Sequence, residues 1–262
     1  MIDTHSHILP GIDDGAKTLD DTLAMADAAI AEGITEIAAT PHHQNGPYIN
    51  EKADVRRLVT EANEHLQKNG RDLKILPGQE VRLYGELIAD WKNGLIQTIN
   101  DSNYVFVEFP SAEVPAFAAR VFYDMQVEGL TPVIVHPERN QGLIKHPSQL
   151  YEFVRSGVLT QVTAASLTGR FGSAIETFSW QLIDHKLTHI IASDAHNTVS
   201  RGFMMKDAFA AIEAERGADL AAMFQANAED LVDGRQVIPE PPQSIERTKK
   251  RRKKRSKFLG LF

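Results

Sequence analysis

The chain opens Met1-Ile2-Asp3-Thr4-His5-Ser6-His7. The β-branched Ile2 and Thr4, with apolar and polar positions alternating, predict a short strand. Alternate residues of a strand share a face, so His5 and His7 project side by side. Two close imidazoles repel when both are protonated, and a cation that both ligate while neutral is the simplest reason for the pair. The same chemistry recurs along the chain. His42 follows the apolar run 34–40, Glu80 lies within the extended stretch 73–83, and Glu108 ends the run 104–109. His136 follows 131–135, Asp194 and His196 follow 188–192, and Asp14 sits in the loop after the first strand. Each residue alone has an ordinary explanation as a loop hydrogen bond, a salt-bridge partner or a cap. Their coincidence at six strand ends points to a polynuclear metal site. Nine ligand-type side chains exceed the needs of one ion, and so many acids in one pocket require cations. Two or three divalent ions fit that number. Such ions polarise phosphoryl oxygens and make hydroxide available near neutral pH as a nucleophile. Arg139, three residues after His136, and Arg201, five after His196, present planar forks that match phosphate oxygens. The other five histidines, His43, His65, His146, His185 and His189, read as surface or packing residues.

The absence of cysteine removes disulfides, thiolate–metal sites and cysteine nucleophiles. Imidazole and oxygen donors suit Mn, Fe, Zn or Mg. Gly11-Ile12-Asp13-Asp14-Gly15-Ala16-Lys17 is too acidic and wrongly spaced for a phosphate-binding glycine loop, and no nucleophile elbow surrounds Ser6 or Ser193.

The elements that must position these residues alternate. After the loop 8–17, Thr18 with Asp21 forms a short capping box, and Leu19, Leu23, Ala26 and Ile30 recur at helical spacing up to Gly33. Strand 34–40 and helix 51–69 follow, then the extended stretch 73–83, strand 104–109, helix 115–128, strand 131–135 and helix 147–156. Strand 158–163, a helix over 173–186, strand 188–192 and helical stretches near 203–214 and 219–226 complete the pattern. About seven strand–helix units with continuously apolar strands predict parallel strands covered by helices. The expected architecture is a barrel related to the eight-fold (β/α) type with one unit missing, with an open doubly wound sheet as the alternative. In such barrels active sites gather at the C-terminal ends of the strands.

The net charge of −7 divides unevenly. Residues 245–262 hold nine of the 28 Lys and Arg and one of the 35 Asp and Glu, a net of +8, which leaves 19 against 34, or −15, for the body. Residues 1–238 are expected to form one domain, and Pro239-Glu240-Pro241-Pro242 reads as a linker to a basic, flexible tail. Basic residues followed by Phe258-Leu259-Gly260-Leu261-Phe262 suit peripheral contact with an anionic membrane, and an acidic body argues against nucleic acid. Neither a leader peptide nor a membrane-spanning run is visible, so the expected location is the cytoplasm, at the inner face of the membrane.

The stretches MIDTHSHILPGIDDG at the start, IAATPHH at 37–43, LPGQEVRLYGE at 76–86, EFP at 108–110, PVIVHPERN at 132–140 and ASDAHN at 192–197 resemble the PHP (polymerase and histidinol phosphatase) superfamily. Within it, they resemble the bacterial manganese-dependent protein-tyrosine phosphatases of the CpsB/YwqE type, almost end to end. The resemblance implies a distorted (β/α)7 TIM-like barrel with a trinuclear centre. It implies that His5, His7, Glu80 and Asp194 hold one ion, Glu80, Glu108 and His136 a second, and Asp14, His42 and His196 a third. It also implies that Arg139 and Arg201 bind the phosphoryl group, and that the substrate is the tyrosine-rich tail of a bacterial kinase of capsule or exopolysaccharide synthesis. The barrel motifs also suit a histidinol-phosphate or other small-molecule phosphomonoesterase, or a phosphotyrosine-binding scaffold without turnover.

Overall fold

The computed structural model describes residues 1–245. Strand β1 (Ile2–Ser6) leads through a turn-rich loop to helix α1 (Leu19–Ala31). Thr18 starts that helix. Its hydroxyl accepts from the Asp21 amide at 3.2 Å, and the Asp21 carboxylate accepts from the Thr18 amide at 3.0 Å, closing the capping box. Next come β2 (Glu36–Ala39), β3 (His42–His43), α2 (Lys52–Lys68), β4 (Lys74–Pro77), β5 (Glu80–Arg82) and α3 (Leu87–Lys92). They are followed by β6 (Tyr104–Glu108), α4 (Ala118–Val127), β7 (Thr131–Val135), α5 (Gln141–Lys145) and α6 (Pro147–Arg155). The described chain finishes with β8 (Leu159–Thr163), α7 (Ala164–Leu167), α8 (Ser173–Asp184), β9 (Ile190–Ala192), α9 (Met205–Arg216) and α10 (Ala218–Val232).

The protein is an α/β fold with parallel sheets. One sheet runs β1-β2-β4 and the other β3-β5-β6-β7-β8-β9, and every paired strand is parallel. The strand that the sequence predicts over 73–83 is broken in two, and past the one predicted over 34–40 a further short strand forms. Thr40-Pro41 separates β2 from β3, and Gly78-Gln79 separates β4 from β5. Proline supplies no amide to the ladder. At Gly78 a Cβ would meet Ile99 Cδ1 at 2.8 Å, Thr40 Cγ2 at 3.1 Å and Ala39 O at 3.2 Å, so glycine lets the chain approach β2 closely at the break. Main-chain bonds also tie β1 to the residues just past β9: Asp194 donates to His5 O at 2.9 Å and His7 to Ala195 O at 2.8 Å.

Alternation along the strands divides the apolar residues. Tyr104, Phe106, Val133, Val135, Leu159 and Ile190 join Leu231, Val232 and Val237 in one cluster. Val105, Val107, Ile134, Val162 and Ile191 face the helices in the larger one. Phe106 is fully buried, a contribution of about 1.5–3 kcal/mol. Its ring centroid lies 5.6 Å from that of His5, so this cluster forms the floor beneath the strand ends. Helix α10 runs beyond the predicted 219–226 because Leu231 and Val232 close the opposite end of that cluster. The chain after residue 238 still follows the body: Glu240 pairs with Lys186 at 2.9 Å and Gln243 N donates to His185 O at 2.8 Å. The basic run and the apolar end beyond it lie outside the described residues.

Candidate metal centre

The nine ligand-type residues named from the sequence all reach one region. His5 lies in β1 and His7 just past it, with ring centroids 5.5 Å apart. His42 opens β3, Glu80 opens β5 and Glu108 ends β6. His136 and Asp194 stand just past β7 and β9 in left-handed backbone, at φ 37° and 52°. Non-glycine residues take that conformation at a cost of roughly 1–2 kcal/mol, and it turns both side chains back over the strand ends.

Glu80 is the hub. Its Oε2 lies 3.3 Å from His5 Nε2, 3.2 Å from His7 Nε2 and 3.1 Å from His42 Nδ1, and its Oε1 lies 2.7 Å from His136 Nε2. Asp194 divides its carboxylate. Oδ1 faces His5 and His7 at 3.5 and 3.4 Å, whereas Oδ2 accepts from Arg139 and, at 3.1 Å, from Arg201. Asp14 Oδ1 lies 3.4 Å from His42 Nε2 and 3.3 Å from His196 Nε2, and its Oδ2 is 3.5 Å from Arg201. Donor atoms within 4.8 Å of one another form three overlapping groups: His5, His7, Glu80 and Asp194; His7, Asp14, His42 and His196; and His42, Glu80 and Glu108. His136 stands beside the third group, 2.7 Å from Glu80 Oε1 and 3.9 Å from Glu108 Oε1.

The residues fit divalent cations. His7 Nε2, His196 Nε2 and Asp194 Oδ1 are buried without a hydrogen-bond partner, and each belongs to one of these groups. Buried polar atoms seldom go unpaired. The charge state points the same way. Burial pushes Glu80 up, but the charges of His42 and His5 outweigh it and hold the carboxyl well below its usual range. Burial likewise opposes ionisation of Asp194, and the Arg139 charge overrides it. Burial also disfavours protonation of His42, yet the Glu80 charge and hydrogen bonds to Asp14 and Glu80 raise it to about 10. Burial and the Glu80 carboxylate lift Glu108 to about 7. Burial and Arg139 push His136 down to about 4, leaving a neutral imidazole suited to ligation. Without metal, protons on imidazoles balance the acids, and a divalent ion replaces those protons.

Sequence reasoning missed the residues behind the donors. Asp13 Oδ2 accepts from His7 Nδ1 at 2.7 Å, and Gln161 Oε1 accepts from His5 Nδ1 at 2.9 Å. Asn45 Nδ2 donates to Glu108 Oε2 at 2.9 Å, and Arg82 lies 3.1 Å from the same oxygen. Buried Asp3 accepts from the Ser193 hydroxyl and, at 2.9 Å, from its amide. Asp13 was visible in the run Asp13-Asp14, but nothing in the sequence decides which acid faces inward. His43 follows His42 on the opposite face of β3 and is buried. A pocket of about 410 Å3 opens beside the donors. Asp14, His42, Glu80, Glu108, His136, Asp194 and both arginines line it, with Phe109, Ile134, Val135 and Pro137 as an apolar wall.

Comparison with known proteins gives matches over nearly the whole chain. A family model described as "Capsular polysaccharide synthesis, CpsB/CapC" matches residues 1–233. Tyrosine-protein phosphatase YwqE of Bacillus subtilis (strain 168) is 44% identical over 262 residues, covering 100% of both chains. The putative tyrosine-protein phosphatase CapC of Staphylococcus aureus is 40% identical over 211 residues, 80% of this chain and 82% of its own. A solved chain described under "Crystal structures of YwqE from Bacillus subtilis and CpsB from Streptococcus pneumoniae, unique metal-dependent tyrosine phosphatases" superposes with a TM-score of 0.92 at 44% identity. That match covers 94% of this chain and 100% of the solved one.

Proposed function

The chain belongs to the CpsB/CapC family of capsular polysaccharide synthesis, and from that premise we propose that it is a metal-dependent protein-tyrosine phosphatase. The reaction adds water to phosphotyrosine and releases inorganic phosphate and tyrosine. The observation that carries this reading is the set of three overlapping donor groups opening on a pocket that also holds two arginines. His5, His7, Glu80 and Asp194 hold one ion, Asp14, His42 and His196 a second, and Glu80, Glu108 and His136 a third, with Mn2+ the expected metal and Fe, Zn or Mg also suited to these donors. The ions, when bound, neutralise phosphoryl charge and lower the pKa of water. Arg139 and Arg201 approach Asp194 Oδ2 from the pocket side, and their remaining donors bind the phosphoryl oxygens. The Phe171 ring, 5.3 Å from the Arg139 guanidinium, keeps that fork in place. Phe109 and Pro137 offer the tyrosyl ring an apolar surface. Tyrosinate, with a reference pKa of about 10, is a fair leaving group, and no cysteine is present to offer a thiolate route.

The finer readings follow from the same premise. The two sheets, joined by the bonds between β1 and the end of β9, form one distorted (β/α)7 barrel. Residues 1–238 are the catalytic domain. The substrate is the tyrosine-rich tail of a cognate bacterial kinase of capsule or exopolysaccharide synthesis. The protein works in the cytoplasm, and the basic run after residue 245 brings it to the anionic inner face of the membrane. Among the described residues no helix is long and apolar enough to cross a membrane.

Purified protein with Mn2+ should hydrolyse p-nitrophenyl phosphate and phosphotyrosine peptides, with kcat/KM higher for the peptides than for histidinol phosphate. Chelation or His136→Ala should abolish turnover. Full activity after verified metal removal would overturn the reading, and a preference for histidinol phosphate would replace it with the small-molecule phosphatase.

A further inference from the structure

His7 belongs to two of the three donor groups, and its Nε2 lies 3.2 Å from Glu80 Oε2 and 3.4 Å from Asp194 Oδ1. What settles that orientation lies behind it. Asp13 is buried, at 5% exposure, in the loop after β1. Its Oδ2 accepts from His7 Nδ1 at 2.7 Å and from the His42 amide at 3.2 Å, and its Oδ1 accepts from the Gly15 amide at 2.8 Å. One carboxylate therefore touches His7, the main chain of His42 and the turn that presents Asp14. Those are three of the four donors in the group His7, Asp14, His42 and His196. His5 belongs to one group only, and its Nδ1 meets the neutral Gln161 Oε1 at 2.9 Å. Of the two histidines from β1, His7 has the charged support and His5 the neutral one.

A carboxylate on the far nitrogen of a ligating imidazole fixes its tautomer and strengthens the donor. We propose that Asp13 is a positioning residue with two effects: it holds His7 as the Nε2 donor to the ion of His5, Glu80 and Asp194, and it fixes the turn and strand that present Asp14 and His42 to the outer ion, which they hold with His196. This rests on the metal-site reading above. Asn at position 13 keeps the size of the side chain but can turn its amide toward His7 Nδ1. The ring proton would then move to Nε2 and block that atom as a ligand.

Chelator-stripped wild type and Asp13→Asn are titrated with Mn2+ by calorimetry, with bound metal counted by elemental analysis. The variant should bind one ion fewer and hold the rest 10- to 100-fold more weakly, roughly the loss expected for a lost supporting partner. Its melting temperature in chelator should fall, because one amide oxygen cannot accept from His7 and two main-chain amides as the carboxylate does, but the variant should stay folded at the titration temperature. Equal stoichiometry and affinity in the two proteins would overturn the proposal, as would a variant unfolded in chelator at that temperature, which would make Asp13 a folding residue. A wild-type protein that takes up no metal would overturn the metal reading and this proposal with it. A second measurement needs no variant. In cadmium-loaded wild type labelled with 15N-histidine, His7 should bind through Nε2 and carry its proton on Nδ1. Attachment through Nδ1 would overturn the assignment.

Discussion

Gly15→Ala tests whether the loop after β1 is built for the centre or merely covers it. A Cβ at Gly15 would lie 2.0 Å from His7 O and 2.4 Å from His7 Cβ. Both are far inside van der Waals contact, and the obstacle is backbone rather than a side chain that could swing away. The loop must therefore withdraw. In doing so it breaks the bond from Ala16 N to His7 O at 3.0 Å and strains that from Gly15 N to Asp13 Oδ1 at 2.8 Å. A neutral hydrogen bond contributes about 0.5–1.5 kcal/mol and one to a carboxylate about 1.5–3, so the loss is about 3 kcal/mol. At about 2–4 °C per kcal/mol for a chain of this size, the midpoint should fall by roughly 10 °C. Asp14 travels with the loop, so Mn2+ uptake should fall in the same variant. Differential scanning calorimetry in chelator, and then with added Mn2+, separates the two effects. A variant melting within ~2 °C of wild type, with unchanged metal binding, would show that the close approach is not needed; the small-shift limit follows from surface substitutions within about 0.5 kcal/mol.

Metal binding should be strongly proton-linked. His42 is raised to about 10 and His7 well above its ordinary value, burial opposing both but Glu80 and Asp13 prevailing. Both are protonated near pH 7 without metal, so binding releases about two protons and affinity rises about 100-fold per pH unit; a dissociation constant flat between pH 6.5 and 7.5 would refute this. Arg139→Ala should lower kcat/KM on p-nitrophenyl phosphate about 10²- to 10³-fold, while metal content measured on the same sample stays constant, and undiminished turnover would remove Arg139 from the phosphoryl site. His189 is buried, with Nδ1 accepting the Thr160 amide at 3.0 Å, and burial lowers its pKa to about 4. The unfolded chain binds that proton more readily, so His189 makes stability fall as pH drops from 6.5 toward 4, by up to about 3 kcal/mol. His189→Gln should flatten the melting temperature over that window, measured in chelator, and an unaltered slope would assign the acid sensitivity elsewhere.

The strand ends were legible because the chemistry is local: a ligand type at the close of an apolar run needs no tertiary knowledge. The capping box at Thr18 and Asp21 was legible for the same reason. The supporting residues were not. Gln161 lies in the middle of β8, where a polar residue reads as a fault in the apolar run until β1 is placed opposite it. Asn45 and Arg82 reach Glu108 from two separate loops and strands. Helices α3, α5 and α7, of six, five and four residues, are too short to show a helical period. The split of β2 from β3 depends on the bend at Pro41, and that of β4 from β5 on the contact of Gly78 with Thr40 and Ile99. Neither is a property of one segment.

The seam between β1 and β9 brings together donors from opposite ends of the sequence order. Asp3 accepts from the Ser193 amide at 2.9 Å across 190 residues of sequence, and Asp194 N donates to His5 O at 2.9 Å. The first bond holds the residue before Asp194, and the second holds Asp194 itself in its left-handed backbone. Burial raises Asp3 to about 6, with the Ser193 and His5 bonds opposing it, so this acid keeps its proton more readily than a surface aspartate. The group of His5, His7, Glu80 and Asp194 exists only once that seam has closed, since two donors lie on one side of it and one on the other. The left-handed strain at Asp194 is held by the same contacts, as it must be where a strained residue persists in a stable fold. Metal affinity and closure of the β1–β9 seam are therefore linked: a cation that binds the closed form draws the seam shut, and an open seam has no such site to offer.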